Sequence, residues 1–239
     1  MIRPVRHALA CLLIFSLVPA CAQEPHFTDP PGPDTPEVTA QLGKAKAALE
    51  SGRADVSAIL SDPTYLPLHE RPSFRELIRK HARSSRMTIV TPKEPGERLI
   101  VTGTLRSKDG RPLGGALVYA YQTSAKGWYS DRAAHYTASS GDDRHARLFG
   151  YLTTDPSGRF EITTIRPEGY PQSRAPQHIH LEVYVGGRPK LGTEILFEDD
   201  PRMTTEARRL SREAGFYLVP VRRGADGVQR CAVEIRLPE

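Results

Sequence analysis

An all-β fold is what this sequence predicts: an antiparallel β-sandwich preceded by a small helical N-terminal extension. Three observations carry that expectation. From about Glu97 onward apolar and polar residues alternate with a period of two, which puts one face of each strand against a core. The alternating runs are short and are parted by turn residues, Asp109-Gly110, Pro156-Ser157-Gly158, Gly186-Gly187 and Asp226-Gly227. Helical spacing belongs to the stretch before them, and neither a G-x-G-x-x-G nor a P-loop pattern marks an α/β nucleotide fold.

The elements follow in order. Residues 1–22 read as an export signal: Arg3, Arg6 and His7 are basic, Ala8 to Val18 is apolar, and Ala20-Cys21-Ala22 offers a small-residue cleavage site. Two processing routes fit. Cleavage after Ala22 releases the chain, whereas Val18-Pro19-Ala20-Cys21 resembles a lipobox that leaves a lipid anchor on Cys21. Either route takes the protein out of the cytoplasm, to the periplasm or cell envelope or to the medium. Residues 23–95 form a Pro/Asp/Gly-rich tether and a helical region. Val38, Leu42, Ala45 and Leu49 recur at helical spacing and Gly52 stops them. Ser73 is the expected N-cap of a second helix bearing Phe74, Leu77 and Ile78, with Glu76 completing a capping box. This region buries little by itself, so it is expected to pack on the rest of the chain or on a second subunit, as in a homodimer. Residues 96–239 are the sandwich, with strands predicted at 99–105, 116–121, 159–165, 178–185, 193–197, 216–221 and 231–237.

Composition excludes several functions. A net charge of +5 comes from cations scattered among acids, so no nucleic-acid surface is expected. Of three cysteines, Cys11 and Cys21 fall in the signal, which leaves Cys231 alone and unable to form an internal disulfide. It lies in an alternating strand and reads as a buried structural thiol.

Chemistry concentrates in His178-Ile179-His180-Leu181-Glu182-Val183-Tyr184-Val185. In a strand, Ile179, Leu181, Val183 and Val185 share the core face, and His178 and His180 point together to the other. Two imidazoles one residue apart on a strand can meet one metal ion, or can simply line a wet sheet face. A zinc hydrolase would further require a third His or carboxylate ligand and a general base, for which the sequence shows no good candidate.

Four separated segments then decide the matter. Residues 148–171 contain Thr153-Thr154-Asp155, Gly158-Arg159-Phe160 and Thr164-Ile165-Arg166-Pro167-Glu168-Gly169-Tyr170, followed by Pro176-Gln177-His178-Ile179-His180. Upstream stands Lys126-Gly127-Trp128-Tyr129-Ser130, and downstream Leu191-Gly192-Thr193-Glu194-Ile195-Leu196-Phe197-Glu198-Asp199-Asp200-Pro201. In this order they resemble the intradiol ring-cleavage dioxygenases of the catechol and protocatechuate type, over about residues 97–201. The resemblance implies Fe(III) as cofactor, with Tyr129, Tyr170, His178 and His180 as its ligands. Tyr136 is a nearby rival to Tyr129 without the Gly-x-Tyr-Ser context. The resemblance also implies an aromatic diol and dioxygen as substrates and a cis,cis-muconate-type diacid as product. A catechol would displace the Tyr170 phenolate, which then serves as a base. Anionic phenolates suit a hard ferric ion, and a phenol of ordinary pKa ~10 ionises beside such a charge.

The chain departs from the family pattern at three residues and in a short loop between Tyr170 and His178. Ala175 occupies a position where many relatives carry Arg, with Arg174 the nearest arginine; Phe149 replaces a frequent Arg; and Glu194 stands where Gln is usual, adding an acid beside the site. The competing expectation is a non-catalytic binding module of the prealbumin or carboxypeptidase-regulatory kind, which Val101–Ala116 and Thr154–Phe160 would suit equally well. Such a module gives no reason to gather two tyrosines around His-x-His.

Overall fold

The computed structural model describes residues 33–130, 146–171 and 173–238. The export signal, most of the tether and Tyr136 lie outside them. No helix among the described residues is long and apolar enough to cross a membrane.

Helix α1 spans Pro36–Glu50, and Thr35 caps it by accepting the Val38 amide at 3.3 Å. It buries Val38, Ala45 and Leu49, and Gly52 leaves it with φ 70°, a conformation costly to any other residue type. Helix α2, Val56–Ser61, is capped by Asp55, and a 3-10 turn, Pro63–Leu68, follows. Helix α3 spans Pro72–His81 and corrects the expected capping box. Its N-cap is Arg71, with Pro72 in the first turn; Ser73 instead donates to Asp34 at 3.0 Å, and Glu76 pairs with Arg79. Proline fills the first helical position because it forfeits no hydrogen bond there.

Two five-stranded sheets follow. The first runs in the order β1 (Arg86–Thr88), β5 (Arg159–Ile165), β2 (Arg98–Arg106), β10 (Gln229–Arg236), β9 (Arg222–Arg223). The second runs β4 (Leu148–Thr153), β3 (Leu117–Gln122), β6 (His178–Val185), β7 (Arg188–Phe197), β8 (Tyr217–Val219). The expectation of a wholly antiparallel arrangement is wrong: β1 pairs parallel with β5, β2 with β10, and β7 with β8, so both sheets are mixed. The predicted strand at 216–221 is shortened to β8, with β9 lying just beyond it, and helix α4, Thr205–Glu213, was not expected. That helix is almost wholly polar, with Arg209 bridging Glu206 and Glu213 along its surface.

One core joins the two sheets and the N-terminal helices, and a smaller cluster of Leu196, Met203 and Ala207 includes α4. Leu99, Val101, Phe160, Ile162, Val233 and Ile235 of the first sheet share a buried cluster with Val118, Ala120, Ile179, Leu181, Val183 and Ile195 of the second. Leu49, Leu60, Phe74 and Ile78 from the helices belong to the same cluster, so the N-terminal region packs on this chain. Gly103 marks a tight contact inside this core, since a Cβ there would fall 2.0 Å from the ring of Phe160. Cys231 is buried as expected, and burial pushes its thiol up to about 12, which keeps it protonated and inert.

Under α3 lie several buried polar side chains. Arg147 and Glu94 form a bidentate pair, both oxygens at 2.7 Å. His69 is fully buried, its ring stacked on Phe74 at 5.4 Å, and its Nδ1 meets the Arg147 carbonyl at 2.9 Å. Burial lowers its pKa from 6.5 to about 4. The unfolded chain therefore binds the proton more readily than the folded one, and stability falls as pH drops from 6.5 towards 4. The loss amounts to about 3 kcal/mol across that window. Chemical denaturation at pH 7 and pH 4.5 should show it, and a His69→Phe variant should lose that part of the slope.

Candidate metal centre

The site grows from β6 and the two loops that face it. Strand pairing sets His180 opposite Tyr121 of β3 and opposite Glu194 of β7. The Tyr121 ring stacks on His180 at 4.4 Å with only 7° between the planes, fixing the imidazole's orientation. As expected, Ile179, Leu181 and Val183 are buried in the core; but the histidine face is covered too, with His178 only 6% exposed. These histidines do not line a wet sheet.

Tyr129 and Tyr170 come from loops, and two glycines allow the loops to touch. Ser124 and Gly127 close a tight turn, Gly127 N–H to Ser124 O at 3.0 Å with Gly127 at φ 76°. A Cβ on Gly127 would sit 2.3 Å from the Gly169 carbonyl oxygen, so only glycine permits this approach. The amide of Glu168 donates to Ser124 O at 3.1 Å, and Thr123 Oγ1 donates to Glu168 O at 2.6 Å. On the far side a Cβ on Gly169 would lie 1.9 Å from Arg202 Nη1, which is itself paired with Glu168 at 2.7 Å.

Four donor atoms then meet. The Tyr129 hydroxyl lies 2.6 Å from that of Tyr170 and 2.8 Å from His180 Nε2. The Tyr170 hydroxyl lies 2.8 Å from His178 Nε2 and 3.3 Å from His180 Nε2, and the two Nε2 atoms are 3.0 Å apart. Ligands held about 2.0–2.1 Å from a shared metal are separated by roughly 2.8–3.4 Å, so the set has the size of a coordination sphere. Its protonation agrees. His178 Nδ1 meets the Pro176 carbonyl at 2.7 Å, so its proton sits there and the Nε2 lone pair points into the cluster. His180 Nδ1 faces Glu194 Oε1 at 3.4 Å, which directs its proton the same way and its Nε2 lone pair inward. Burial, with His178 adjacent, holds His180 well below the usual imidazole range and therefore neutral. Two nitrogen lone pairs converging with two phenol oxygens suit a hard cation that ionises the phenols.

The ligand-capable atoms of His178, His180 and Glu194 lie within 4.8 Å of one another, so the acid expected beside the site stands next to both histidines. It approaches His180 from the Nδ1 side, away from the converging Nε2 atoms and hydroxyls. Burial raises the Glu194 pKa against the pull of His178. Arg174 is exposed on the loop between Tyr170 and His178. At the position of Phe149 the guanidinium of Arg75 lies 4.0 Å over the ring. Sequence reasoning missed Tyr121, whose partnership with His180 depends on which strands pair, and it missed the polar groups under α3.

Comparisons with known proteins agree with this geometry. A family model described as Dioxygenase matches residues 69–214, more than half of the chain. Catechol 1,2-dioxygenase 1 of Acinetobacter lwoffii is 29% identical over 140 residues, 52% of this chain and 43% of that protein. The protocatechuate 3,4-dioxygenase beta chain of Burkholderia cepacia is 33% identical over 114 residues, covering 44% and 47%. The chain thus spans less than half the length of these two relatives. Among solved structures, the dioxygenase domain of a carbohydrate-binding fusion from Streptomyces sp. SirexAA-E is 29% identical, with TM-score 0.50 over 65% of this chain and 88% of that one. Catechol 1,2-dioxygenase from Pseudomonas arvilla C-1 shares the fold at TM-score 0.51 and 16% identity, over 85% and 78%. With the matched stretch running through all four converging side chains, the chain belongs to the intradiol ring-cleavage dioxygenase family.

Proposed function

We propose that this chain is a non-haem Fe(III) intradiol dioxygenase that opens catechol-type rings with dioxygen to cis,cis-muconate-type diacids. One observation carries the reading: the mutual approach, within 2.6–3.3 Å, of two phenol oxygens and two imidazole nitrogens. Tyr129, Tyr170, His178 and His180 would hold the ion, the phenolates balancing its charge. Ferric iron there supplies Lewis acidity and a template for both oxygens of an aromatic diol.

The chain's own groups divide the remaining work. The family resemblance gives Tyr170 the role of the ligand whose oxygen leaves the cluster and takes the second substrate proton. Tyr129 is only 2% exposed and keeps its place. Glu194 supplies an acid next to His180, and Arg174 is the nearest cation in sequence for charge that develops on the ring. We read the facing of the two sheets as a prealbumin-like sandwich and residues 1–22 as an export signal, which places the reaction outside the cytoplasm. A purely binding module would have no use for this donor cluster.

The visible spectrum tests the proposal. Iron-loaded protein should be burgundy from tyrosinate-to-iron charge transfer, the band should move when a catechol is added, and oxygen should be consumed. A colourless preparation that ferric iron cannot reconstitute would refute it.

A further inference from the structure

We propose that the stretch from His69 to Arg75 is a positioning element for the Tyr129 phenol, gripping both chain segments on which that residue depends. The proposal rests on the ferric reading above and adds to it a part of the chain outside the donor cluster.

A backbone bond, Arg147 N–H to Tyr129 O at 2.7 Å, ties Tyr129 to the chain opposite. Three side chains, two from just before α3 and one on it, fasten that pair from outside. Ser130, the residue after Tyr129, donates from Oγ to Glu70 Oε1 at 2.8 Å. The Arg147 carbonyl meets His69 Nδ1 at 2.9 Å, and the Ala146 carbonyl accepts from Arg75 Nη2. Both sides of the Tyr129–Arg147 pair are thus tied to seven consecutive residues of the helical region.

The grip is itself rigid. Arg75 donates to the Tyr119 hydroxyl at 2.7 Å and lies 4.0 Å over Phe149; His69 stacks on Phe74; and Arg147 is locked onto Glu94. Arg75 is only 8% exposed and His69 not at all. Burying an arginine and a histidine against carbonyls costs more than filling the same space with apolar side chains. What the arrangement supplies is direction. It fixes where the Tyr129 backbone runs, and with it whether the phenol oxygen reaches 2.8 Å from His180 Nε2. A metal site tolerates only about 0.5 Å of such looseness.

The test uses the full chain loaded with ferric iron, reading the charge-transfer maximum and the iron dissociation constant. Glu70→Ala should shift the maximum and weaken iron binding about tenfold, the scale expected when a supporting contact is lost. Glu70→Gln, which keeps an oxygen for Ser130, should behave as wild type. Should Glu70→Ala fail to fold, Ser130→Ala reads the same contact. The deciding arm is Tyr129→Phe: if the grip acts through that phenol, adding Glu70→Ala to it changes neither quantity further. An equal loss of iron in both backgrounds, or no shift in either, overturns the proposal. A wild-type protein lacking the charge-transfer band overturns the ferric reading together with it.

Discussion

On the ferric reading proposed above, His180→Ala should empty the site of iron. His180 Nε2, like the Tyr170 oxygen, lies near all three other donor atoms, at 2.8, 3.0 and 3.3 Å, so its removal opens the whole cluster. Losing a supporting contact to a metal ligand costs 10–100-fold in affinity, and losing the ligand itself should exceed about 100-fold, or roughly 2.7 kcal/mol. The fold should survive. His180 lies on the side of β6 opposite Ile179, Leu181 and Val183, so its truncation leaves the shared core intact. Its loss also removes the stacking on Tyr121, a term of about 1 kcal/mol. The variant should therefore keep its circular dichroism, fail to bind iron in stoichiometric amount, stay colourless and lose ring cleavage by at least about a thousandfold, the scale of removing an ion that supplies several kcal/mol at the reacting centre. A His180→Ala protein that still holds one iron with the wild-type colour would remove His180 from the ligand set.

What could be read from the residues alone follows from how far each contact reaches along the chain. His178 and His180 were legible because two residues of one strand share a face whatever the strand's neighbours are. Gly52 and the glycines of the turns were legible for the same local reason. Tyr129 and Tyr170 were not, by periodicity; they sit on loops, and their meeting depends on Gly127 lying against Gly169, a contact no pattern announces. Only resemblance named them. The parallel pairing of β10 with β2 was hidden because alternation looks identical in parallel and antiparallel strands half-covered by a core. Strand β4 escaped because helices α2 and α3 cover the face it would otherwise show to water, so Leu148, Phe149 and Gly150 are all buried and do not alternate. Helix α4, with Glu206, Arg209, Arg212 and Glu213 on view, lacks the apolar stripe by which a helix is recognised. Ser73 was a sound cap in the wrong frame, since Pro72 already opens the helix.

Glu94→Ala should be among the most destabilising single changes outside the donor cluster. Glu94 and Arg147 are 53 residues apart, and their side chains are 5% and 9% exposed, so neither was readable as a partner from sequence. Removing the carboxylate leaves a guanidinium buried without its bidentate acceptor, a change that costs about 3–5 kcal/mol. In a chain of this size that is roughly a 10 °C fall in Tm. The magnitude belongs to the buried guanidinium that loses its bidentate acceptor, not to the attraction between the partners. Glu94→Leu combined with Arg147→Leu should for that reason be far more stable than Glu94→Ala alone, because both charges leave the interior together. Arg147 also lends its amide to Tyr129, so the double variant separates two roles. If it regains thermal stability but binds iron less tightly than wild type, the ion pair serves the metal centre through the orientation of that strand. If it regains both, the pair is structural and the backbone bond to Tyr129 suffices. Equal melting temperatures for wild type and Glu94→Ala would contradict the burial on which the argument stands.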